Sequence, residues 1–216
     1  MKQASTPHKQ HFARSAKNLL LVALSFISVS NLIWQQQTVK AQAAEEVATT
    51  STWRSASFPV ENFQAYTSAF GYRRSATGGS TWEFHQGLDF AAPQGSYVRN
   101  WWAGKVVKVS DNTACGTSVE IQSGEWKHTY CHMKGRVETQ GGNRYLIDRE
   151  GGVQIWQGQQ VRGGTRIGRV GMTGRTTGPH LHWVLKYANN YVDPALVLRA
   201  MYAQQSSSTL QSSAKR

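Results

Sequence analysis

Residues 178–185, Gly-Pro-His-Leu-His-Trp-Val-Leu, put His180 and His182 two positions apart behind a turn. On a strand such residues share a face, and their side chains leave the backbone about 7 Å apart. One imidazole of such a pair can hold a metal ion while the other reaches a metal-bound water. Leu181, Trp183 and Leu185 then point the opposite way, toward a core. Alone, His-x-His is often polar surface and needs partners elsewhere. Two stretches supply them. His85-Gln86-Gly87-Leu88-Asp89 reads His-x-x-x-Asp, and Tyr130-Cys131-His132 places a third histidine block between the other two. In isolation the first reads as a loop ion pair and His132 as a satisfied strand histidine. A hydrolytic zinc site needs three nitrogen, oxygen or sulfur ligands and one open position for water, whose pKa the metal draws toward neutrality. No His-Glu-x-x-His occurs, which excludes a helix-borne zinc site with a glutamate base.

With these blocks in this order, residues 65–203 resemble the M23 zinc metalloendopeptidases, the LytM and lysostaphin type of peptidoglycan hydrolase. A Ser-x-Phe-Gly-Tyr-Arg segment, residues 68–73, precedes the first block as it does in that family. The resemblance implies one zinc ion per chain, held by His85, Asp89 and His182. It implies that His132 and His180 are the two histidines that do not bind metal. One orients or deprotonates the attacking water and the other stabilises the developing oxyanion. The implied substrate is an amide bond in the peptide stems or cross-links of peptidoglycan. The competing reading is a catalytically silent peptidoglycan-binding regulator of other wall hydrolases. All five motif positions are filled, which favours the enzyme. His128 has no counterpart in the motif and reads as structural, although it falls on the same strand face as His132. The implied groove is lined by loops over residues 73–82 and 139–152. Trp82, Trp101, Trp102 and Trp126 either wall it or belong to the core.

The elements that must hold these residues are short strands. Of 216 residues, 39% are hydrophobic and 11% aromatic, enough for a core, and 20 glycines supply frequent turns. Residues 57–62, 66–73, 104–109, 117–122, 126–132 and 161–171 carry strand patterns, with Val107 and Val109 on one face of the third. Ser123-Gly124 marks a hairpin. Residues 139–152, with two Gly-Gly pairs, read as a loop or small hairpin on the rim. Pro194 opens a short amphipathic helix to Gln204, with Leu196, Val197, Ala200 and Met201 on its apolar side. The expected class is therefore mainly β. The resemblance makes it an antiparallel folded β-sheet, sandwich-like, with a groove and one short C-terminal helix. The expected organisation is a secretory signal over 1–43, a linker over 44–56, the peptidase domain over 57–203 and a disordered tail over 204–216.

The signal reading rests on Lys2, Lys9, Arg14 and Lys17, the apolar run 19–34 and the small-x-small pattern Ala41-Gln42-Ala43. An uncleaved anchor is the alternative, and a membrane is a partner only in that case. Either way the catalytic part is exported, to the periplasm, cell wall or exterior. The formal net charge is +12. Removing residues 1–43 takes away five of the 24 basic residues and none of the 12 acidic ones, leaving +7. Such an excess suits an anionic wall. No nucleic-acid recognition motif is present, and nucleic acid is not expected as a partner. Oligomeric state is not legible. Cys115 and Cys131 are the only cysteines, and export with an even count favours a disulfide. A turn at 122–124 would set them opposite each other, whereas a two-residue Ser123-Gly124 loop shifts the pairing by one. Two buried thiols are the alternative, and zinc ligation by cysteine a weaker one.

Overall fold

The computed structural model describes residues 53–75, 78 and 80–213, with the backbone alone over 208–213. The proposed signal segment lies outside the described residues. A 3-10 turn at Trp53–Ser55 precedes strands β1 (Ala65–Ser68), β2 (Gly71–Arg74), β3 (Trp82–His85), β4 (Gly87–Ala91) and β5 (Tyr97–Arg99). Strands β6 (Gly104–Ser110), β7 (Ser118–Ser123), β8 (Trp126–Cys131), β9 (Arg136–Gln140) and β10 (Asn143–Asp148) follow. The chain continues through β11 (Val153–Trp156), β12 (Gln160–Val161), β13 (Arg166–Arg169), β14 (His180–Tyr187) and β15 (Asn190–Val192) to helix α1 (Pro194–Ser213). The mainly β, antiparallel class expected from the sequence holds.

The organising element is an eight-stranded sheet in the order β1-β4-β14-β8-β7-β6-β12, with β15 beside β14. Alternation sorts its two faces. On β14, Leu181, Trp183 and Leu185 are fully buried, while His180, His182 and Val184 are half-buried on the other face. Under the apolar face Trp101 packs against Trp53, Trp126 and Trp183 at ring separations of 5.5–5.7 Å. Trp101 and Trp126 are thus core, whereas Trp82 is 65% exposed.

Four local expectations are corrected. In β6 the register shifts between Val106 and Lys108, a bulge that buries Val106 and Val109 and turns Val107 outward. The β7–β8 hairpin turns at Gly124-Glu125, because Ser123 pairs with Trp126. Residues 57–62 form no strand, only an isolated bridge from Val60 to Val98. Residues 139–152 do form the small hairpin, β9–β10 turning at Gly141-Gly142, but it belongs to a three-stranded sheet, β11-β10-β9, and is not among the residues that line the groove. That sheet is tied to β13 instead, where Arg169 Nε and Nη2 donate to the Asp148 carboxylate at 2.6 and 2.8 Å.

The ends also differ. Trp53, inside the expected linker, is fully buried in the tryptophan cluster. Asp193 caps α1 by accepting from the Ala195 N–H at 2.8 Å, and Pro194 opens it. The buried side of α1 is Val197, Leu198 and Met201, with Leu196 exposed. The helix runs 20 residues to Ser213, past the expected stop at Gln204 and into the expected tail. Its middle is held down: Gln204 accepts from the Trp53 N–H, and Gln205 donates to the carbonyls of Trp53 and Ala56. Serine and glutamine content gave no sign of these contacts.

Cys115 and Cys131 form a disulfide, with Cα atoms 4.9 Å apart. The strand register does not produce it, since Cys131 lies one step beyond the Val119–Tyr130 pair. The chain before β7 folds back, and the His132 N–H donates to the Cys115 carbonyl at 2.8 Å. At a sequence separation of 16 the loop-entropy model gives about 3 kcal/mol of stabilisation.

Candidate metal centre

The register of three strands assembles the site. His182 on β14 stands directly opposite Asp89 on β4 and opposite Cys131 on β8. His85 ends β3, two residues before β4 begins. Gly87 between them is required by close approach: a Cβ there would lie 2.5 Å from the Trp183 carbonyl oxygen and 2.8 Å from the His182 ring. The result is three converging donor atoms. His182 Nδ1 lies 2.7 Å and His85 Nε2 3.2 Å from Asp89 Oδ1, and the two nitrogens are 3.0 Å apart.

This trio fits a metal ion. Zinc–ligand bonds of 2.0–2.2 Å in a tetrahedron put neighbouring ligand atoms about 3.3 Å apart. His85 Nδ1 donates to the Ala69 carbonyl at 2.7 Å, which leaves the Nε2 lone pair for the centre. That lone pair, the His182 nitrogen and a carboxylate oxygen all face one point, an arrangement that calls for a cation. Burial works to raise the Asp89 carboxyl, but its hydrogen bonds with His182 and His85 prevail and hold it far below the usual carboxylate range. Burial lowers His182, against the pull of Asp89. Both residues are thus in the forms that ligate metals.

Two more rings stand beside the trio. His132 and His180 have ring centres 4.9 Å apart, and His132 is 5.9 Å from His182. His132 follows β8 and takes a left-handed backbone, φ 61°. This corrects the expectation that it shares a face with His128. Continued as strand, position 132 would join Trp126, His128 and Tyr130 under the sheet. The left-handed turn redirects its ring to the groove, beside Thr129 and Cys131. His128 is fully buried, bonded to Ser123 Oγ at 2.8 Å and Tyr130 Oη at 2.9 Å, and burial pulls it down to about 3. It is structural.

The catalytic candidates are oriented by backbone. His132 Nδ1 donates to the Thr173 carbonyl at 2.8 Å, so its Nε2 carries the lone pair. Burial is the main cause that draws this ring down to about 4, and it is neutral at physiological pH. His180 Nδ1 donates to the Gly178 carbonyl at 2.9 Å, and its Nε2 lies 3.7 Å from Asp89 Oδ1. All five residues singled out in the sequence therefore meet on the floor of one groove of about 520 Å³.

Two participants were not anticipated. Thr173 carries no motif, yet it holds His132 through its carbonyl and ties Thr117 to Met133 through its hydroxyl. Arg73 closes the Ser-x-Phe-Gly-Tyr-Arg segment, which by itself assigns it no role. Its Nη1 donates to Asp89 Oδ2 at 3.3 Å and to Ser68 Oγ, and its Nε donates to Glu83 at 3.2 Å. Arg73 thereby anchors the Asp89 oxygen that faces away from the two histidines. Arg73→Ala is expected to weaken metal affinity about 10–100-fold, the usual effect of losing an outer-shell partner. Competition with a chromophoric chelator measures this, and unchanged affinity would confine Arg73 to bracing the β2–β3 hairpin.

Residues 83–194 match the model of peptidase family M23. The DD-carboxypeptidase/endopeptidase Mpg of Neisseria meningitidis serogroup B is 35% identical over 131 residues, 60% of this chain and 26% of that protein. The peptidoglycan DD-endopeptidase ShyA of Vibrio cholerae serotype O1 is 35% identical over 129 residues, 59% of this chain and 26% of that protein. A zinc-containing peptidase from Vibrio cholerae superposes with a TM-score of 0.50 at 31% identity, covering 67% of this chain and 38% of that one. The chain spans about a quarter of the length of the curated relatives it matches.

Proposed function

The chain belongs to peptidase family M23, and from that premise we propose that it is a zinc-dependent endopeptidase hydrolysing amide bonds in peptidoglycan stems or cross-links. One observation carries the reading. Three metal-ligating atoms converge on the groove floor, with two further histidines alongside, His132 and His180, the nearer nitrogen of His180 standing off at 3.7 Å from Asp89 Oδ1. The name of one relative, the peptidoglycan DD-endopeptidase ShyA, supports the substrate class, and that of Mpg, a DD-carboxypeptidase/endopeptidase, supports the bond type. In this reading His85, Asp89 and His182 hold zinc, which when bound supplies a Lewis acid and an acidified water.

The rest of the chemistry falls to the chain's own side chains. The neutral His132 ring offers Nε2 as proton acceptor, held in that tautomer by the Thr173 carbonyl. His180 is its partner across 4.9 Å. One ring takes the proton of the attacking water. The other, when protonated, turns an N–H to the oxyanion, and the proton finally goes to the leaving amine. Incubating the purified protein with peptidoglycan, with and without chelator, and weighing the fragments tests the reading. Chelator-sensitive new amine and carboxyl termini are expected. Intact peptidoglycan would sink it and revive the silent regulator, which no feature of the site favours.

Export remains part of the proposal, motivated by the basic and apolar stretches of residues 2–34 and by the disulfide. Amino-terminal sequencing of material from outside the cytoplasm is expected to read from Ala44. An intact Met1 on a membrane-bound form would instead establish the anchor. Among the described residues no helix is long and apolar enough to cross a membrane.

A further inference from the structure

The charged side chains that line the groove are tied to one another, with two exceptions. Arg73 bridges Glu83 and Asp89, and Arg175 joins Glu83. Glu120 and Lys186 also line the groove, and among the described residues neither has an ion-pair partner. Among the described residues Glu120 Oε2 accepts from the Thr129 hydroxyl at 3.2 Å, and Lys108, opposite Glu120 in the β6–β7 register, makes no ion pair with it. Lys186 lies over the Tyr191 ring, its nitrogen 4.2 Å from the centroid. Lys186 is moreover directly opposite Lys127 in the β14–β8 register. Like charges in that relation repel. Lys127 turns aside to Asn189 Oδ1 at 3.3 Å, and among the described residues no carboxylate pairs with either ammonium.

The register also gives their place relative to the metal centre. Lys186 is four residues along β14 from His182, about 13 Å at the usual strand rise. Glu120 pairs with Thr129, which pairs with Val184, so it lies two residues along and two strands over. That is about 7 Å along the sheet and 10 Å across it. An acid and a base thus flank the same end of the groove, on separate strands and without an ion-pair partner among the described residues, about four extended residues from the centre.

We propose that Glu120 and Lys186 form a subsite for the free head of an amino acid carried by the substrate, one that bears both an ammonium and a carboxylate. Glu120, steadied by Thr129, receives the ammonium, and Lys186 receives the carboxylate. Two unpaired charges of opposite sign select such a head by leaving one charge unmet whenever the ligand lacks its counterpart. The inference rests on the endopeptidase reading for the substrate's main chain and adds which cross-linked peptides that site accepts.

The test uses three synthetic cross-linked peptides that differ only at that head: free, carboxylate amidated, or ammonium acetylated. Binding to the zinc-loaded full chain is measured by calorimetry, and cleavage is followed separately. The wild type is expected to bind the free head about tenfold more tightly than either blocked form, the lower end for a charge-assisted hydrogen bond. Lys186→Met should lose the preference over the amidated peptide alone, and Glu120→Gln the preference over the acetylated one alone. Lys186→Arg should keep both preferences, which separates lost charge from disturbed packing. Equal binding of all three peptides by the wild type would overturn the subsite. So would variants that weaken all three alike. If the selective pattern appears and no peptide is cleaved, the subsite stands and the endopeptidase reading fails.

Discussion

Asp89→Ala is expected to yield a folded protein that retains little zinc and hydrolyses peptidoglycan at least about a thousandfold more slowly. The substitution removes the one carboxylate of the trio and leaves two imidazoles, a donor set too weak to hold the ion at ordinary concentrations. Losing a Lewis acid forfeits several kcal/mol of transition-state stabilisation, and each 1.4 kcal/mol is tenfold in rate. Folding should survive. The core face of β4 and β14 is carried by Leu88, Phe90, Leu181, Trp183 and Leu185, none of which touches the metal face. Metal analysis of the purified variant, with circular dichroism beside it, decides the matter. Full zinc occupancy in a folded Asp89→Ala protein would mean the ligand set is wrong.

The second large effect separates ligation from proton handling. His132→Ala and His180→Ala should each keep most of the zinc, because neither ring belongs to the converging trio. Each should still lose hydrolysis, by about 10²–10⁴-fold for a positioned acid or base and about 10²–10³-fold for an oxyanion donor. On the proposed roles the two rings serve one water and one oxyanion, so the double variant should lose less than the product of the single losses. Rates that stay metal-dependent but ignore position 132 would make the Tyr130-Cys131-His132 block structural. The fully buried His128 could not then take over, since its nitrogens are bonded to Ser123 and Tyr130 beneath the sheet.

The site was more legible in the sequence than the paths that build it. His180 and His182 follow a period of two that survives folding unchanged, because β14 is regular and buries one face only. His132 was identified by its block and misplaced by its period. A left-handed residue at the end of β8 moves it to the other face, and alternation cannot foresee a single reversed φ. The bulge at Val106 to Lys108 defeats alternation in the same way. Thr173 and Arg73 act through contacts 41 and 16 positions away, which no local pattern encodes. The length of α1 depends on Gln204 and Gln205 meeting Trp53, about 150 positions earlier in the chain.

The reversed backbone at His132 makes this position a conflict between durability and chemistry. An L-residue with a Cβ is disfavoured at φ 61°, by roughly 1 kcal/mol relative to glycine. The protein keeps the strain because the ring must face the groove, and the bonds from His132 N–H to Cys115 and from Gly171 N–H to His132 hold the turn in place. Relieving it should therefore harden the fold while disarming it. His132→Gly is expected to melt above His132→Ala, with both expected to be inactive, and a thermal melt of the two side by side reads the difference. A descendant released from catalysis would be expected to drift toward glycine or asparagine at that turn, exchanging activity for resilience.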